Sequence, residues 1–341
     1  MVMTPNNNTE TKPLDAAPAT TNLWTIGRAL TWMTERFSES SDSPRLDAQL
    51  LLAHVLSCAR VTLYTQIDQP LTLEERERLR GVVRRRLSGE PVAYILGVKS
   101  WHDMDLLVDS RVLIPRPETE TLFDCLAAWS AVSLQRDVAE GRVPLVIDMC
   151  TGSGCLALAF ARRFPQAKVL ALDVSPAALE VARENALRLK VDNVTWLEPT
   201  DVQDESAVWR HLGPLLETCH GSLVVVANPP YVTTEEWVHL DLDVRDHEPR
   251  VALDGGQDGL DVARAVYGIW NLLSQNFAPV RTKSRPGFLG MELSAGQPNH
   301  LAPQACLGNL EVEAEGPFVL KDLAGSPRFL MAHAGAAPDR D

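Results

Sequence analysis

The chain has 341 residues, 45% hydrophobic and 23% charged, an ordinary globular composition with room for a core domain of about 200 residues and a smaller companion. Its formal net charge of -13 weighs against a protein that lives on phosphate backbones, because such binding draws its free energy from clustered Lys and Arg. Six scattered cysteines, with no CxxC pair among them, point to neither a zinc site nor a disulfide framework, and fit a reducing compartment.

In chain order, residues 1–22 read as a disordered tail. They lack the apolar core of a signal peptide, and no apolar run in the chain approaches the roughly 20 residues that span a bilayer. The expectation is a cytoplasmic protein with no membrane partner. Residues 23–88 have helical period. Ile26, Leu30, Met33 and Phe37 share one face, and Ser43-Pro44 opens a second helix with Leu46, Leu50, His54 and Val55 on its apolar side. His54 is thus read as a packed core residue. A capping box, Thr72 to Glu75, opens a third helix that ends in Arg84, Arg85 and Arg86, read as a solvated helix face. Residues 89–120 lose the helical period and gain β-type residues with Gly and Pro turns, the pattern of a hairpin linker. Residues 121–334 form the main domain, where strands alternate with helices: strands at 144–149, 168–172, 193–197 and 222–227, helices from Gly154 and over 176–189, and three late strands in "PGFLGMEL", "LEVEAEGPFVL" and "RFLMAHA". Residues 335–341 read as a loose tail. The alternation predicts a doubly wound, Rossmann-like α/β sheet, preceded by a small N-terminal helical bundle and a β-hairpin linker.

Ligands collect outside the carboxyl ends of parallel strands, so the residues that end each strand carry the chemistry. "VIDMCTGSG" ends a strand at Asp148 and turns through Gly152 and Gly154 into a helix N-terminus. "ALDVSP" ends the next strand at Asp173, about two dozen residues on, where a carboxylate can accept from both ribose hydroxyls. Asp201 follows the third. Acids around a nucleoside, with no lysine and hydroxyl to cradle phosphates, favour a cofactor without phosphates. S-adenosylmethionine fits, being cationic at sulfur with a ribose diol.

The buried run Val224 to Ala227 then stops at Asn228, Pro229, Pro230 and Tyr231. A carboxamide nitrogen is a poor nucleophile, so an enzyme that methylates one must orient it and support the charge that develops. The Asn228 side-chain oxygen and the Pro229 carbonyl can each accept one N–H of the target amide. Both bonds strengthen as the nitrogen becomes cationic. The prolines fix the carbonyl's direction, Tyr231 offers an aromatic face, and neither a general base nor a metal is required. The same quartet can present an exocyclic nitrogen of a DNA or rRNA base, which keeps a nucleic-acid methyltransferase open as the rival reading. A catalytically silent cofactor-binding scaffold is a third.

With "GEPVAYILG", "LIPRPETE", "DMCTGSG", "ALDVSP", "NPPY", "VRDHEPRVALDGGQDGLD" and "KDLAGSPR", the chain resembles the HemK-type protein-(glutamine-N5) methyltransferases that modify peptide chain release factors. The resemblance covers residues 23 to 333. It implies S-adenosylmethionine as donor and, as acceptor, the glutamine of a release factor's Gly-Gly-Gln loop, with the helical domain gripping the rest of that protein. It implies a cofactor set of Asp148, Cys150, Thr151, Gly152, Ser153, Gly154, Asp173, Asp201, Val202 and Asn228. On the substrate side it implies Asn228, Pro229, Pro230, Tyr231, Arg116 and Glu118. The stretch "RPETE" resembles the release-factor branch rather than its sibling, the ribosomal-protein glutamine methyltransferases. No direct nucleic-acid contact and a monomer are expected. Glu292, ending "GMEL", is a candidate for shaping the pocket floor. The family usually has Gly where this chain has Cys150, from which a negative φ is expected there, with a thiol packed beside the cofactor and made more acidic by the helix N-terminus.

Overall fold

Thr25 starts the first helix, α1 (Ile26–Phe37), by accepting the Arg28 N–H on its hydroxyl. The structure, a computed structural model, describes residues 23–276, 286–302, 306–307 and 317–335. The expected tails at 1–22 and 336–341, and most of "LEVEAEGP", lie outside the described residues. Two compact units divide between Ser88 and Gly89.

In the first unit α1 buries Ile26, Ala29, Met33 and Phe37, while Leu30 is half-buried. Helix α2 (Pro44–Leu56) touches both α1 and α4 (Leu73–Leu87); α3 (Thr62–Thr65) lies between them in sequence. Contact on two sides rotates the buried surface of α2 to Ala48, Leu51, Leu52 and Val55. Leu46 and His54 are exposed, which corrects the expectation that His54 packs in the core. The capping box is formed: Thr72 accepts the Glu75 N–H at 3.2 Å and Glu75 accepts the Thr72 N–H at 2.7 Å. At the far end of α4 Arg84 and Arg85 are exposed, but Arg86 is buried. Its Nε donates to Asp47 Oδ2 at 2.8 Å and its guanidinium reaches the Ser40 carbonyl at 3.1 Å. One member of the arginine run is therefore an internal strut, not part of a solvated face.

The second unit begins with a short helix, α5 (Val92–Leu96), which the sequence reading took for non-helical chain, stopped by Gly97 at φ 68°. The hairpin follows as β1 (Val98–Trp101) paired antiparallel with β2 (Met104–Leu107). A long helix that the sequence reading did not assign, α6 (Pro117–Ala139), starts inside the expected linker with Pro117 in its first turn. It packs so closely on the sheet that a Cβ at Gly290 would sit 2.8 Å from Leu126.

The alternating part is then β3 (Leu145–Met149), α7 (Cys155–Arg163), β4 (Lys168–Leu172), α8 (Pro176–Leu189), β5 (Val194–Trp196), α9 (Glu205–Thr218) and β6 (Leu223–Ala227). Short helices α10 (Thr234–Trp237) and α11 (Leu242–Arg245), then α12 (Asp261–Asn276), lead to β7 (Gly287–Glu292). After α13 (Gln297–Leu301) come β8 (Cys306–Leu307), β9 (Phe318–Lys321) and β10 (Pro327–Ala334). Apart from the β1-β2 hairpin, the described strands form an eight-stranded sheet in the order β5-β4-β3-β6-β7-β10-β9-β8. β5, β4, β3, β6 and β7 run parallel, and β10 enters antiparallel beside β7. Every residue of β3 and β6 is buried, because apolar layers cover both faces, Ile147 and Val225 joining one and Val146 and Val224 the other. From β3 the chain winds outward to β4 and β5, then returns to place β6 on β3's other side. That reversal opens a crevice at the carboxyl ends of β3 and β6.

Candidate active site

The loop leaving β3 curls through Cys150 at φ 68°, Gly152 at φ 54° and Gly154 at φ 84°. Two backbone bonds hold it, Thr151 N–H to Leu172 O at 3.0 Å and Gly154 N–H to Thr151 O at 2.8 Å. The left-handed Cys150 overturns the expectation of a negative φ: the loop must reverse on leaving the strand, and it imposes that conformation whatever the residue. Cysteine at such a position costs about 1–2 kcal/mol relative to glycine's indifference. Cys150→Gly should therefore be more stable than Cys150→Ala by about 1 kcal/mol, the reverse of the order at ordinary positions. Urea midpoints of the two variants check this, and an alanine variant equal to or above the glycine variant would refute it. The thiol is not acidified either. Burial, then the charges of Asp173, Asp148 and Asp201, push it well above the usual thiol range, outweighing the helix N-terminus.

Behind the loop Asp148 is fully buried. Its Oδ2 accepts from the Thr151 hydroxyl at 2.6 Å and the Ala157 N–H at 3.0 Å, tying the loop to the start of α7, and burial pushes its carboxyl up to about 7. At Gly154 an added Cβ would lie 3.1 Å from Ala182 and 3.3 Å from Trp196, whereas at Gly152 it would meet nothing within 4 Å. Gly152 borders the crevice, so its bare backbone keeps room there for a ligand.

Asp173 also faces the crevice. Its Oδ2 accepts from Gly152 N–H at 2.9 Å and its Oδ1 from Ser175 N–H at 2.9 Å, which fixes the carboxylate while leaving lone pairs on both oxygens. Burial raises its proton affinity, against the lowering effect of the Ser175 and Gly152 N–H groups. Asp201 and Val202 continue the wall, Asp201 exposed with its Oδ1 on the Gln203 N–H at 2.9 Å. The lining also includes Val112 and Leu113, in a segment anchored by the Tyr94 hydroxyl on the Val112 carbonyl at 2.5 Å. Asn185, fully buried, joins the hairpin to the loop by bonding both backbone groups of Leu107 and the Ser153 carbonyl.

The Asn-Pro-Pro-Tyr turn leaves β6 beside this crevice, with Pro229 and Pro230 buried and Asn228 and Tyr231 half-buried. Asn228 Nδ2 donates to Thr119 Oγ1 at 3.1 Å, and Thr119 in turn donates to Glu292 Oε2 at 2.7 Å. The Tyr231 hydroxyl points at Glu292 Oε1 from 3.4 Å. Burial pushes Glu292 up to about 7 and Tyr231 up to about 12. The "LDGGQDGLD" segment clamps the turn: Val232 N–H bonds Leu253 O at 2.9 Å and Gly255 N–H bonds Val232 O at 2.8 Å. A Cβ at Gly255 would fall 2.5 Å from the Pro230 carbonyl and one at Gly259 2.3 Å from that of Tyr231, so only glycine fits. Gln297 completes the clamp through the Tyr231 carbonyl at 2.9 Å.

Of the residues picked from sequence, Cys150, Thr151, Gly152, Ser153, Asp173, Asp201, Val202, Asn228 and Pro230 border the crevice together. Asp148, Gly154, Pro229, Tyr231, Arg116 and Glu118 do not border it. Arg116 is held by Glu248 at 2.7 Å, and Glu248, buried, also accepts the Ile114 N–H at 3.1 Å. Glu118 is half-buried and its charge acts on Glu292 and Tyr231. Thr119, Glu248 and Gln297 escaped the sequence reading. The first two lie inside quoted motifs, but nothing in a motif says which of its letters turn inward.

Residues 28–97 match the family described as PrmC N-terminal domain, and residues 146–207 match a methyltransferase domain. The release factor glutamine methyltransferase of Rhodopirellula baltica is 37% identical over 311 residues, which span 90% of this chain and 95% of that protein. This chain belongs to the release factor glutamine methyltransferases. The Chlorobaculum tepidum enzyme of the same description is 40% identical over 68% of this chain and 76% of its own length. That of Geobacter sulfurreducens is 36% identical over 72% and 78%. The strand-end acids and the bare backbone at Gly152 fit the family's donor, S-adenosylmethionine, which they can meet with ribose acceptors and free space. Asp173→Ala is accordingly expected to weaken donor affinity by about 1–3 kcal/mol through two lost charge-assisted bonds. Calorimetric titration reads this directly, and unchanged affinity would move the donor elsewhere.

Proposed function

We propose that the protein methylates the side-chain nitrogen of the glutamine in the Gly-Gly-Gln loop of a peptide chain release factor. The observation that carries this reading is the commitment of Asn228 Nδ2 to Thr119, which leaves the carboxamide oxygen for an incoming N–H. An acceptor amide placed there gives one N–H to Asn228 Oδ1 and the other to the Pro229 carbonyl, and both acceptors gain as the nitrogen loses its lone pair to the new bond. S-adenosylmethionine supplies the methyl group. The nitrogen's surplus proton is acidic enough to leave after transfer without a dedicated base. Tyr231 and the paired prolines keep the turn's shape.

The helical unit at 23–88 is assigned the docking of the release factor, with 89–120 and 121–334 forming the catalytic part. The protein works in the cytoplasm as a monomer and without nucleic acid. Support for the absence of a nucleic-acid partner comes from the net charge of -13, since flipping a base and holding its strand calls for a basic groove. Among the described residues no helix is long and apolar enough to cross a membrane. Incubation with methyl-labelled donor and, separately, release factors, ribosomal proteins, DNA and RNA tests the assignment. Label on the Gly-Gly-Gln glutamine by peptide mass spectrometry is expected; label on a base or a ribosomal protein alone would sink it.

A further inference from the structure

We infer that Thr119 and Glu292 are positioning residues that set which end of the Asn228 carboxamide faces the acceptor, so that the proton count on a buried pair decides whether the site can act. The inference rests on the role proposed for Asn228. An asparagine side chain can turn by half a rotation and exchange its oxygen for its NH2 at little steric cost. Only one of the two orientations accepts an N–H from substrate, so something must select it.

The selection follows from counting hydrogens. Thr119 carries a single hydroxyl hydrogen, and it goes to Glu292 Oε2 at 2.7 Å. Thr119 Oγ1 can then only accept from its other neighbour, which obliges Asn228 to turn its NH2 toward Thr119 at 3.1 Å and its oxygen away. Glu292 holds the chain's end by accepting twice, from Thr119 and from Tyr231, a pattern that the carboxylate meets with no hydrogen of its own to place. Thr119 and Glu292 are each only 1% exposed, so water cannot replace either partner. Once Glu292 is protonated it can donate to Thr119. The Thr119 hydrogen is then released toward Asn228, and the reversed carboxamide would aim its NH2 at the substrate's own N–H groups.

The groups facing Glu292 are Thr119 and Glu118 on α6, Tyr231 on the turn, Arg328 on β10 and, on α7, Cys155, whose thiol burial keeps protonated. Burial and Glu118 favour its protonated form, while Thr119, Arg328 and Tyr231 favour the carboxylate, and the balance falls at about 7. Arg328 is itself held at 3.0 Å by Asp322, which tempers its effect. Because the working form is the carboxylate and its proton affinity is raised, turnover is present above that value and lost as pH falls through it.

The test measures kcat at saturating donor from pH 5.5 to 9 on a release factor with a Gly-Gly-Gln loop, for the parent, Thr119→Ser, Thr119→Val and Glu292→Gln. Thr119→Ser keeps the hydroxyl and should stay within about threefold of the parent. Thr119→Val keeps the shape but loses the hydrogen, and kcat should drop about tenfold or more with donor affinity by calorimetry unchanged. Glu292→Gln cannot titrate, so the fall in kcat below about pH 7 should vanish from its profile. Asp148 is raised to the same range but sits behind the donor loop, and saturating donor with Asp148 intact in every variant separates the two. A Thr119→Val enzyme with parental kcat, or a Glu292→Gln enzyme that keeps the parental acid limb, would overturn the inference. Failure of the parent itself to label glutamine would instead overturn the functional reading on which it rests.

Discussion

Asn228→Ala is expected to lose about a hundredfold or more in turnover while binding donor within a few-fold of the parent. The separation follows from what the side chain does at rest and in the reaction. At rest the one side-chain bond it makes within the described residues runs to Thr119, and none joins it to the strand-end acids assigned to the donor. In the reaction its oxygen meets an N–H whose nitrogen is becoming cationic, and an acceptor that strengthens only at that point acts on kcat and not on ground-state binding. Single-turnover rates and calorimetry on the same variant provide both halves. Near-parental turnover would remove Asn228 from the chemistry.

Arg86→Ala should destabilise the helical unit by about 3 kcal/mol or more, because it strands the Asp47 carboxylate in a buried place with its strongest partner gone. The ion pair at 2.8 Å is 6% exposed on the arginine side and 10% on the aspartate side. Arg84→Ala, on the exposed side of the same turn, should change stability by less than about 0.5 kcal/mol. Replacing both members of the pair, Arg86→Met with Asp47→Leu, should recover much of the loss, since no charge is then left alone in the interior. Chemical denaturation of the three variants gives the comparison. Equal losses for Arg84→Ala and Arg86→Ala would return the whole run to the solvated face that its sequence suggests.

That contrast marks the limit of reading these residues as letters. Three adjacent arginines look alike in sequence, and only the helical rotation that brings the third onto α2 tells them apart. The parallel strands were legible because runs such as Leu223 to Ala227 are buried on both faces and carry no polar alternation to confuse them. Strand ends were legible for the same reason, and Asp173, Asp201 and Asn228 do border the crevice, whereas Asp148, at the end of its strand, turns inward to hold the loop. Helix α6 was not assigned, for it begins in a Pro-rich stretch whose punctuation reads as a turn. Cys150 misled because residue type was taken to report φ, whereas φ there is set by the loop's need to reverse. The Thr119 to Glu292 contact joins residues 173 positions apart, and no local pattern encodes such a meeting.

The clamp around the Asn-Pro-Pro-Tyr turn has a thermodynamic consequence. Backbone bonds from Val232 and Gly255, the Gln297 amide and glycines pressed against the Pro230 and Tyr231 carbonyls hold the acceptor cradle in one shape. Ordering on association then falls almost wholly on the visiting glutamine and its loop. The entropic penalty of complex formation should accordingly track the looseness of the partner's loop, so that stiffening that loop tightens binding by a more favourable entropy at nearly constant enthalpy.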